Sequence, residues 1–321
     1  MIRLATFNIE NLSLGGKNEP PLSNRLDILR PQLQRLQADI LCLQEINASS
    51  KKEGRGLEAL DLLLHDTDYQ NYHRTESRST KGPTDKHNLV ILSRFPFEQK
   101  EQYHNDLVSP PQFSPTNTVG NGEGSSEIIW DRPFIYGRIP IENGKTLHII
   151  NLHLRAPRAS HIAGQKVKAS TWKTVPAWAE GYFISSIKRA GQALEARLLI
   201  DKILDEDTHA LIAVCGDFNA DEYEVPTRLL RADDSDTGNG ELAYRSLVGL
   251  EHSIPSVQRY SVIHQGRRQM LDHILVTRPL LGHFDHVEIH NESLGDEIFG
   301  ERNVYDSPDS YHAPLLGNFN L

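Results

Sequence analysis

Short apolar segments recur along almost the whole chain of 321 residues. Several of these segments are apolar at consecutive positions, which is typical of strands that are covered on both faces. The segments that we interpret as strands are 2–9, 39–45, 88–95, 127–131, 134–141, 146–154, 210–218, 259–264 and 270–277. Strands of this kind need layers packed on both sides, and this requirement restricts the fold more than any other feature of the sequence.

Apolar residues recur at helical spacing between several of these segments. Residues 191–204 present one broad apolar side. A second pattern over residues 26–36 contains Pro31, which predicts a kink or a restart of the helix. Residues 56–65 and 225–232 are shorter candidates. Strands interleaved with helices predict an α/β sandwich.

Three long segments, 46–56, 104–126 and 155–187, carry the turn residues or the irregular patterns of loops. Long loops inside a compact domain are often functional. The composition does not change sharply at any point along the chain, so we expect a single domain over residues 1–321.

The composition is that of an ordinary soluble protein with a formal net charge of −9. This charge argues against a general polyanion binder, although a local basic face can still bind phosphate. The two cysteines, Cys42 and Cys215, lie in apolar segments, and we expect reduced core thiols rather than a disulfide framework. No apolar stretch is long enough to span a membrane, and the first residues lack the features of a secretory signal. We therefore expect a cytoplasmic protein without a membrane partner.

Polar side chains stand inside or at the end of several apolar segments, where an unpaired polar group is costly. They are Asn8, Glu45, His153, Asp217 with Asn219, Asp272, and His312 near the end of the sequence. The run GDFN at 216–219 taken alone also fits a simple turn, because Gly, Asp and Asn are turn residues. Repetition of the pattern favours one shared site, since ligand sites of α/β folds lie at strand ends.

The residue types in this set have a common chemical logic. Carboxylates and carboxamides are hard oxygen ligands, which suit Mg²⁺ or Mn²⁺ better than zinc. Two histidines with a buried aspartate supply acid and base near neutral pH, because the aspartate fixes the tautomer of its histidine. The combination is typical of phosphate-ester cleavage, in which a metal neutralises charge while water attacks in line.

The ordered series TFNIENL, LQE, NLVILSRFP, RPF, NLHL, GDFN, LDHIL and HAPL resembles the endonuclease/exonuclease/phosphatase superfamily. The resemblance spans nearly the whole chain. It implies a four-layer α/β/β/α sandwich, in which two mixed β-sheets pack face to face with helices outside and a metal site lies at one edge. The NLHL run differs from the Tyr-x-Pro-Asn type of motif in AP endonucleases, which disfavours a dedicated abasic-site enzyme.

The resemblance also implies a role for each matching residue. Glu45 would be the main metal ligand, helped by Asn8. Asp217 would orient or activate the attacking water, and Asn219 would hold the phosphate or the water.

The same resemblance implies an acid/base system. His312 would be the histidine that faces the scissile phosphate, with Asp272 as its partner. His153 would stabilise the phosphoryl oxygens or protonate the leaving group, and Arg132 would contact phosphate.

One position departs from the family pattern, which usually ends in Ser-Asp-His-x-Pro. Here Tyr311 takes the place of the aspartate that supports the metal or its waters. Asp309 and Glu10 are two carboxylates that could compensate, and the loss keeps a catalytically weakened protein among the hypotheses.

Residues 155–190 form a basic aromatic insert in an otherwise acidic chain. The insert holds seven Lys and Arg residues against Glu180, and four aromatic residues are interleaved with them. Basic residues with aromatics suit a phosphate backbone and stacked bases, and Arg155 at the start of the insert is expected to bind substrate. The alternative is a solvated loop whose aromatics pack on the body of the protein.

We therefore expect a hydrolase that cleaves phosphodiester bonds with Mg²⁺ or Mn²⁺. A nuclease, endonuclease or exonuclease, that acts on nucleic acid or a nucleotide is the leading hypothesis. A phosphatase or a lipid or small-molecule phosphodiesterase on the same scaffold is the first alternative. A binding protein weakened in catalysis by Tyr311 is the second.

Overall fold

A computed structural model describes residues 1–16, 19–51, 54–116, 125–168, 170–297 and 307–321. Two six-stranded β-sheets dominate these residues. Numbered along the chain, their strands are β1 (Ile2–Leu12), β2 (Ile40–Ile46), β3 (His73–Glu76), β4 (Asn88–Ser93), β5 (Gln99–Tyr103), β6 (Phe134–Pro140), β7 (Thr146–His153), β8 (Leu211–Asp217), β9 (Val248–Gly249), β10 (Asp272–Val276), β11 (Phe284–Ile289) and β12 (Leu315–Phe319).

The helices differ widely in length. They are α1 (Leu22–Leu36), α2 (Glu58–Leu64), α3 (Val175–Glu206), α4 (Val225–Arg231), α5 (Asp234–Thr237) and α6 (Arg278–Leu281). Short two-stranded ribbons lie outside the large sheets: Ser49–Lys51 with Gly54–Gly56, Arg78–Ser79 with Gly82–Pro83, Gln112–Phe113 with Ser126–Glu127, Lys166–Lys168 with Thr171–Trp172, and Val262–His264 with Arg267–Gln269.

Each large sheet is built around one parallel pair of strands. The first sheet has the order β11-β12-β1-β2-β4-β3, and β1 runs parallel to β2. The second has the order β9-β10-β8-β7-β6-β5, and β7 runs parallel to β8. The other neighbouring strands are antiparallel. The sheets are therefore mixed, and each has its parallel pair at the centre.

Three apolar cores separate four layers. The central core lies between the sheets and contains Cys42 and Cys215, both free and fully buried as expected. A second core joins the first sheet to α1 and α2. A third joins the second sheet to the C-terminal half of α3. The α/β/β/α sandwich is therefore confirmed, and alternating side chains of each strand face opposite cores.

Helix α3 corrects two sequence predictions. It begins at Val175, so residues 175–187 of the segment interpreted as a loop are helical, and the helix predicted over 191–204 extends over Val175–Glu206. The Thr174 side chain caps the start by accepting a hydrogen bond from the Ala177 amide at 3.3 Å. Exposed aromatic residues interrupt the apolar periodicity of this first half, so helical spacing alone does not reveal it.

Other differences concern loops and edges. Residue Pro31 lies within a continuous helix α1, without a restart of the helix. The strand predicted over 127–131 is limited to the short ribbon strand Ser126–Glu127, and residues 117–124 of the 104–126 segment lie outside the described residues. No helix within the described ranges combines the length and apolar character needed to cross a membrane.

Candidate active site

The residues singled out in the sequence meet at one edge of the sandwich. Asn8 and Glu45 lie at the carboxyl ends of the parallel pair β1 and β2, and His153 and Asp217 end the parallel pair β7 and β8. The Asn8 Nδ2 group bridges the two sheets, because it donates to Asp217 Oδ2 at 3.0 Å and to Glu45 Oε1 at 3.4 Å. Its oxygen accepts from the Glu10 amide at 2.9 Å, which fixes the amide orientation.

The strands are irregular where they reach this edge. The pairing of β1 with β2 shifts between Asn8 and Leu12, and Glu10 and Asn11 both have φ of 49°. Glu45 lies at a similar shift on the other side of β2 and has φ of 63°. Bulges re-aim side chains at the ends of sheets, and strained backbone of this kind clusters at functional sites.

Glu45 is surrounded by nitrogen atoms. Its Oε2 accepts from the Asn11 amide at 3.1 Å and lies 3.6 Å from His87 Nδ1, while Oε1 lies 3.7 Å from His153 Nε2. Burial would raise the pKa of Glu45, but His87 beside its Oε2 and the charge of His312 outweigh burial and lower the pKa strongly. The carboxylate is therefore ionised.

His87 is a residue that the sequence analysis missed. It directly precedes β4, which is antiparallel to β2, so it reaches the same edge as Glu45. Its φ of 56° is a further backbone irregularity at this site. The sequence feature that could have indicated His87 is its position directly before an apolar strand, which is a weak pattern by itself.

His153 is held between an arginine and the carboxylates. Its Nδ1 accepts a short hydrogen bond from Arg132 Nη1, and its Nε2 lies 3.3 Å from Asp217 Oδ2. Arginine is always a donor, so this contact assigns the proton of a neutral imidazole to Nε2. Burial and the Arg132 charge lower the pKa of His153 well below its usual value, in agreement with the neutral form.

The GDFN run forms a tight turn that also faces the site. Asp217 Oδ1 accepts from the Asn219 amide at 2.8 Å, and Asn219 Nδ2 donates to Asp217 Oδ2 at 3.0 Å. Gly216 has φ of 137°, and a side chain there would meet the Leu152 carbonyl oxygen at 1.8 Å. Burial and the neighbouring Asp272 raise the pKa of Asp217 to about 7, against the lowering effect of His312. A carboxylate with this pKa can exchange a proton near neutral pH.

His312 and Asp272 form a dyad. The His312 Nδ1 donates to Asp272 Oδ2 at 2.8 Å, which leaves Nε2 as the second hydrogen-bonding atom of the ring. Burial alone would lower the pKa of His312, but the charges of Asp272 and Asp217 raise it well above its usual value. The buried Asp272 Oδ1 has no hydrogen-bond partner among the described residues.

Glu10 and Asp309, the two carboxylates expected to compensate for Tyr311, lie in different surroundings. Glu10 Oε2 accepts from the Tyr311 amide at 2.9 Å, and both residues line the same cleft as His312. Asp309 instead accepts from Gln32 Nε2 at 2.9 Å and does not line that cleft. The geometry therefore favours Glu10 over Asp309 as a carboxylate near the dyad.

Most of these residues line one cleft of 640 Å³, which we call the edge cleft, and Asn8 and Asp272 lie behind its lining residues Glu45, Asp217 and His312, to which they are hydrogen bonded. Glu10, Glu45, His87, Arg132, His153, Arg155, Asp217, Asn219, Tyr311 and His312 are among its lining residues. Two groups in it could hold a metal ion: Glu45 with His87 and His153, and Asp217 with Asp272 and His312. Each Glu45 oxygen accepts one hydrogen bond among the described residues: Oε1 from Asn8 Nδ2 at 3.4 Å, and Oε2 from the Asn11 amide at 3.1 Å. Lone pairs on both oxygens therefore remain for a cation. The donor set therefore fits a divalent metal ion.

The basic aromatic insert borders the edge cleft through Arg155. The Arg155 guanidinium donates to Ser185 Oγ at 2.9 Å and forms a short ion pair with Asp131. Trp178 and Tyr182 are exposed on the first half of α3, whereas Arg189 is buried against the Asn219 carbonyl and Glu224. The insert is thus partly a structural support of the GDFN turn and partly an exposed aromatic surface.

Several solved structures share this fold. The chain is similar to the structure of an AP endonuclease from Archaeoglobus fulgidus, with 17% identity, a TM-score of 0.56 and 100% of both chains covered. It is similar to the 3′ phosphatase NExo from Neisseria, with 16% identity, a TM-score of 0.55 and 100% of both chains covered. It is also similar to a mannosyl-6-phosphatase from Bacteroides thetaiotaomicron, with 14% identity, a TM-score of 0.56 and 100% of both chains covered.

At these identities the likenesses show the fold alone, and no curated protein matches the chain. A sequence profile of the Endonuclease/Exonuclease/phosphatase family matches residues 5–293, which include most of the edge-cleft residues. The resemblance drawn from the motifs is confirmed: the chain belongs to the Endonuclease/Exonuclease/phosphatase family.

Proposed function

We propose that the chain is a divalent-metal-dependent hydrolase of phosphodiester bonds, a nuclease that works as one catalytic domain with Mg²⁺ or Mn²⁺. One observation carries the proposal. The ionised Glu45, the Asp217 turn and the His312–Asp272 dyad come from both sheets and face one cleft. Carboxylates for a metal beside an oriented acid/base pair suit hydrolysis of a phosphate ester.

Glu45, with Asn8 beside it, would hold the metal ion, and Glu10 is the nearest candidate to replace the missing aspartate at Tyr311. When bound, the metal would neutralise charge on the phosphate and orient it for attack. The Asn8 amide nitrogen faces the carboxylates, so Asn8 also orients Glu45 and Asp217 by donating hydrogen bonds to them.

The protein groups would then divide the proton transfers. Asp217, fixed by Asn219, would accept a proton from the attacking water, because a pKa of about 7 suits a base near neutral pH. The protonated His312, oriented by Asp272, would donate from Nε2 to a phosphoryl oxygen as charge builds up. The neutral His153 would keep its Nε2 proton and donate a hydrogen bond from it to the phosphoryl oxygens or to the leaving oxygen.

Nucleic acid or a nucleotide is the proposed substrate. Arg132 and Arg155 would bind phosphate next to the scissile bond, since both line the edge cleft. The exposed aromatics of the insert supply surfaces on which bases can stack. Two structures with this fold support a nucleic-acid substrate. One is the AP endonuclease, and the other is the Neisseria 3′ phosphatase, whose structure contains a product DNA hairpin.

The test is cleavage of single- and double-stranded DNA and RNA in Mg²⁺, Mn²⁺ or EDTA. Wild type is compared with Glu45→Gln and His312→Asn, and with Glu142→Gln and His209→Asn as exposed matched controls. The proposal expects metal-dependent cutting that both site variants lose and both controls keep.

Release of inorganic phosphate from mononucleotides without any cutting would identify a phosphatase instead. Binding of nucleic acid without turnover of any phosphoester would identify a protein weakened by Tyr311. Cutting that survives in Glu45→Gln and His312→Asn would refute the assigned residues.

A further inference from the structure

A second cavity adjoins the edge cleft and is not used by the mechanism above. We call it the side pocket; it has a volume of 760 Å³, in the range of roughly 300–1,000 Å³ that is common for small-molecule sites. It is lined mainly by the ribbon Gln112–Phe113 with Ser126–Glu127, by residues 160–163 and by α3. Arg155 lines both cavities, so whatever lies in the side pocket adjoins the proposed site of the scissile phosphate.

Two cations lie at the rim of the side pocket, where it adjoins the edge cleft. Asp131 is paired with two cations, Arg155 and Lys188, and the Lys188 ammonium lies 2.6 Å from Asp131 Oδ1. Glu127 also lines the pocket, so the excess of positive charge is confined to the place where Arg155 and Lys188 share Asp131, next to the edge cleft, and a phosphate is favoured there. Arg132, next in sequence, contacts His153 in the edge cleft.

The interior of the side pocket is different, with flat and apolar surfaces. Phe113 lies on its wall, and the Phe183 ring packs against Phe113 with ring centroids 5.6 Å apart. Ile162 and Ile184 line it as well and belong to a small apolar core. Such a surface attracts an aromatic or apolar group rather than a second phosphate.

One buried polar atom also points to a ligand. Ser160 lines the side pocket and is only 6% exposed, and its hydroxyl has no hydrogen-bond partner among the described residues. Leaving a buried hydroxyl unpaired costs free energy, so such groups normally bond to protein, water or a ligand. The hydroxyl can either donate or accept, as the edge of a nucleobase requires.

We propose that the side pocket binds an unpaired nucleobase of the nucleotide next to the scissile phosphate, and this inference rests on the proposed function. Arg155, at the junction with the edge cleft, suits the linking phosphate, the Phe113 wall suits the face of the base, and Ser160 suits the edge of the base. The substrate is then a single-stranded or locally unpaired nucleic acid, because a base stacked in a duplex cannot enter a protein pocket.

The test measures binding rather than cleavage. Protein in EDTA is titrated into a fluorescein-labelled thymidine hexanucleotide, and into a hexamer of the same backbone that carries abasic tetrahydrofuran units. Both probes have the same phosphates, so their difference isolates the bases. Wild type is expected to bind the thymidine probe about tenfold more tightly, within the range of base–aromatic stacking.

Two variants locate that preference. Ala163→Trp fills the side pocket from an exposed position and should reduce the preference to less than about twofold. Ala179→Trp makes the same change at an exposed position of α3 that lines neither cavity, and it should keep the tenfold preference. Phe113→Leu removes the ring but keeps an apolar wall, and it should lose most of the preference.

Equal binding of the two probes by wild type, or an unchanged preference in Ala163→Trp, overturns the inference. The cleavage test separates it from the proposed function. A protein that prefers bases but cuts no diester keeps the side-pocket site and loses the nuclease. A protein that cuts diesters without any base preference keeps the nuclease and loses the side-pocket site.

Discussion

A fully buried ion pair anchors the turn that carries Asp217. His273, the neighbour of Asp272 on β10, donates from Nδ1 to Glu251 Oε1 at 2.6 Å and from Nε2 to the Ala220 carbonyl at 2.9 Å. Both ring nitrogens act as donors, so the imidazole is protonated. Burial would lower the pKa of His273, but the charge and the hydrogen bond of Glu251 outweigh it and raise the pKa to about 9.

The raised pKa makes stability depend on pH. The ordinary value of 6.5 rises to about 9 in the folded protein, which at about 1.4 kcal/mol per pKa unit corresponds to about 3 kcal/mol. The folded state holds the proton more tightly than the unfolded state. The contribution of His273 is therefore fully present below pH 6.5 and is lost as the pH rises to about 9.

Glu251→Gln removes the charge that holds this proton. We expect a loss of about 3–5 kcal/mol at low pH, the usual cost of breaking a buried pair. We also expect the fall in stability between about pH 6 and pH 9 to flatten in this variant, because the charge that raises the pKa of His273 is gone and burial, which lowers it, remains. The exposed Glu142→Gln serves as the matched control.

The assay is urea unfolding followed by tryptophan fluorescence at a series of pH values, with the slope of the transition checked for constancy. Between about pH 6 and pH 9, the free energy of unfolding should fall by about 3 kcal/mol more in wild type and in Glu142→Gln than in Glu251→Gln. An identical pH dependence in Glu251→Gln and wild type would refute the charged pair and the protonation state of His273.

Four further outcomes follow from the site and its strands. Gly216→Ala should destabilise the protein by at least about 2 kcal/mol, because the new methyl group meets the Leu152 carbonyl and the backbone φ is positive; an unchanged melting temperature would contradict this. His312→Asn should lower kcat on a diester by about 10²–10⁴-fold with an intact fold by circular dichroism, and a fall below tenfold would argue against an acid/base role. Glu10→Gln should raise the metal concentration needed for half-maximal cleavage; an unchanged metal titration would exclude Glu10 as the compensating carboxylate. EDTA should abolish cleavage and excess Mg²⁺ should restore it, and activity that persists in EDTA would refute the metal requirement.

The apolar strands of the sheet centres were predictable, but the edge strands were not. β1, β2, β4, β7 and β8 are buried almost throughout, so their composition alone marks them. Every residue of β3 and β5 is exposed or half-buried, and both strands are rich in charged or polar residues. Their identity depends on pairing with a neighbour in the sheet, and a local sequence pattern does not contain that information.

The candidate site was predictable to a similar degree. Residues that end apolar strands, such as Glu45 and Asp217, were found because a polar group at that position is conspicuous. His87 was missed because its role depends on the β2–β4 pairing, and the orientation of the Asn8 amide depends on the Glu10 amide across a bulge. Such contacts arise only when separate strands meet.

The hydrogen-bonded pairing of β1 with β12 has a kinetic consequence. The strand that carries Asn8 lies between β2 and a strand from the far end of the sequence, and Ser310 Oγ donates to the Asn8 carbonyl at 2.7 Å. Contacts between such distant segments form late and slowly during folding, since a long loop must close first. A growing polypeptide therefore cannot assemble the cleft before its last strand is available. Any hydrolytic activity would therefore begin only once the fold is complete.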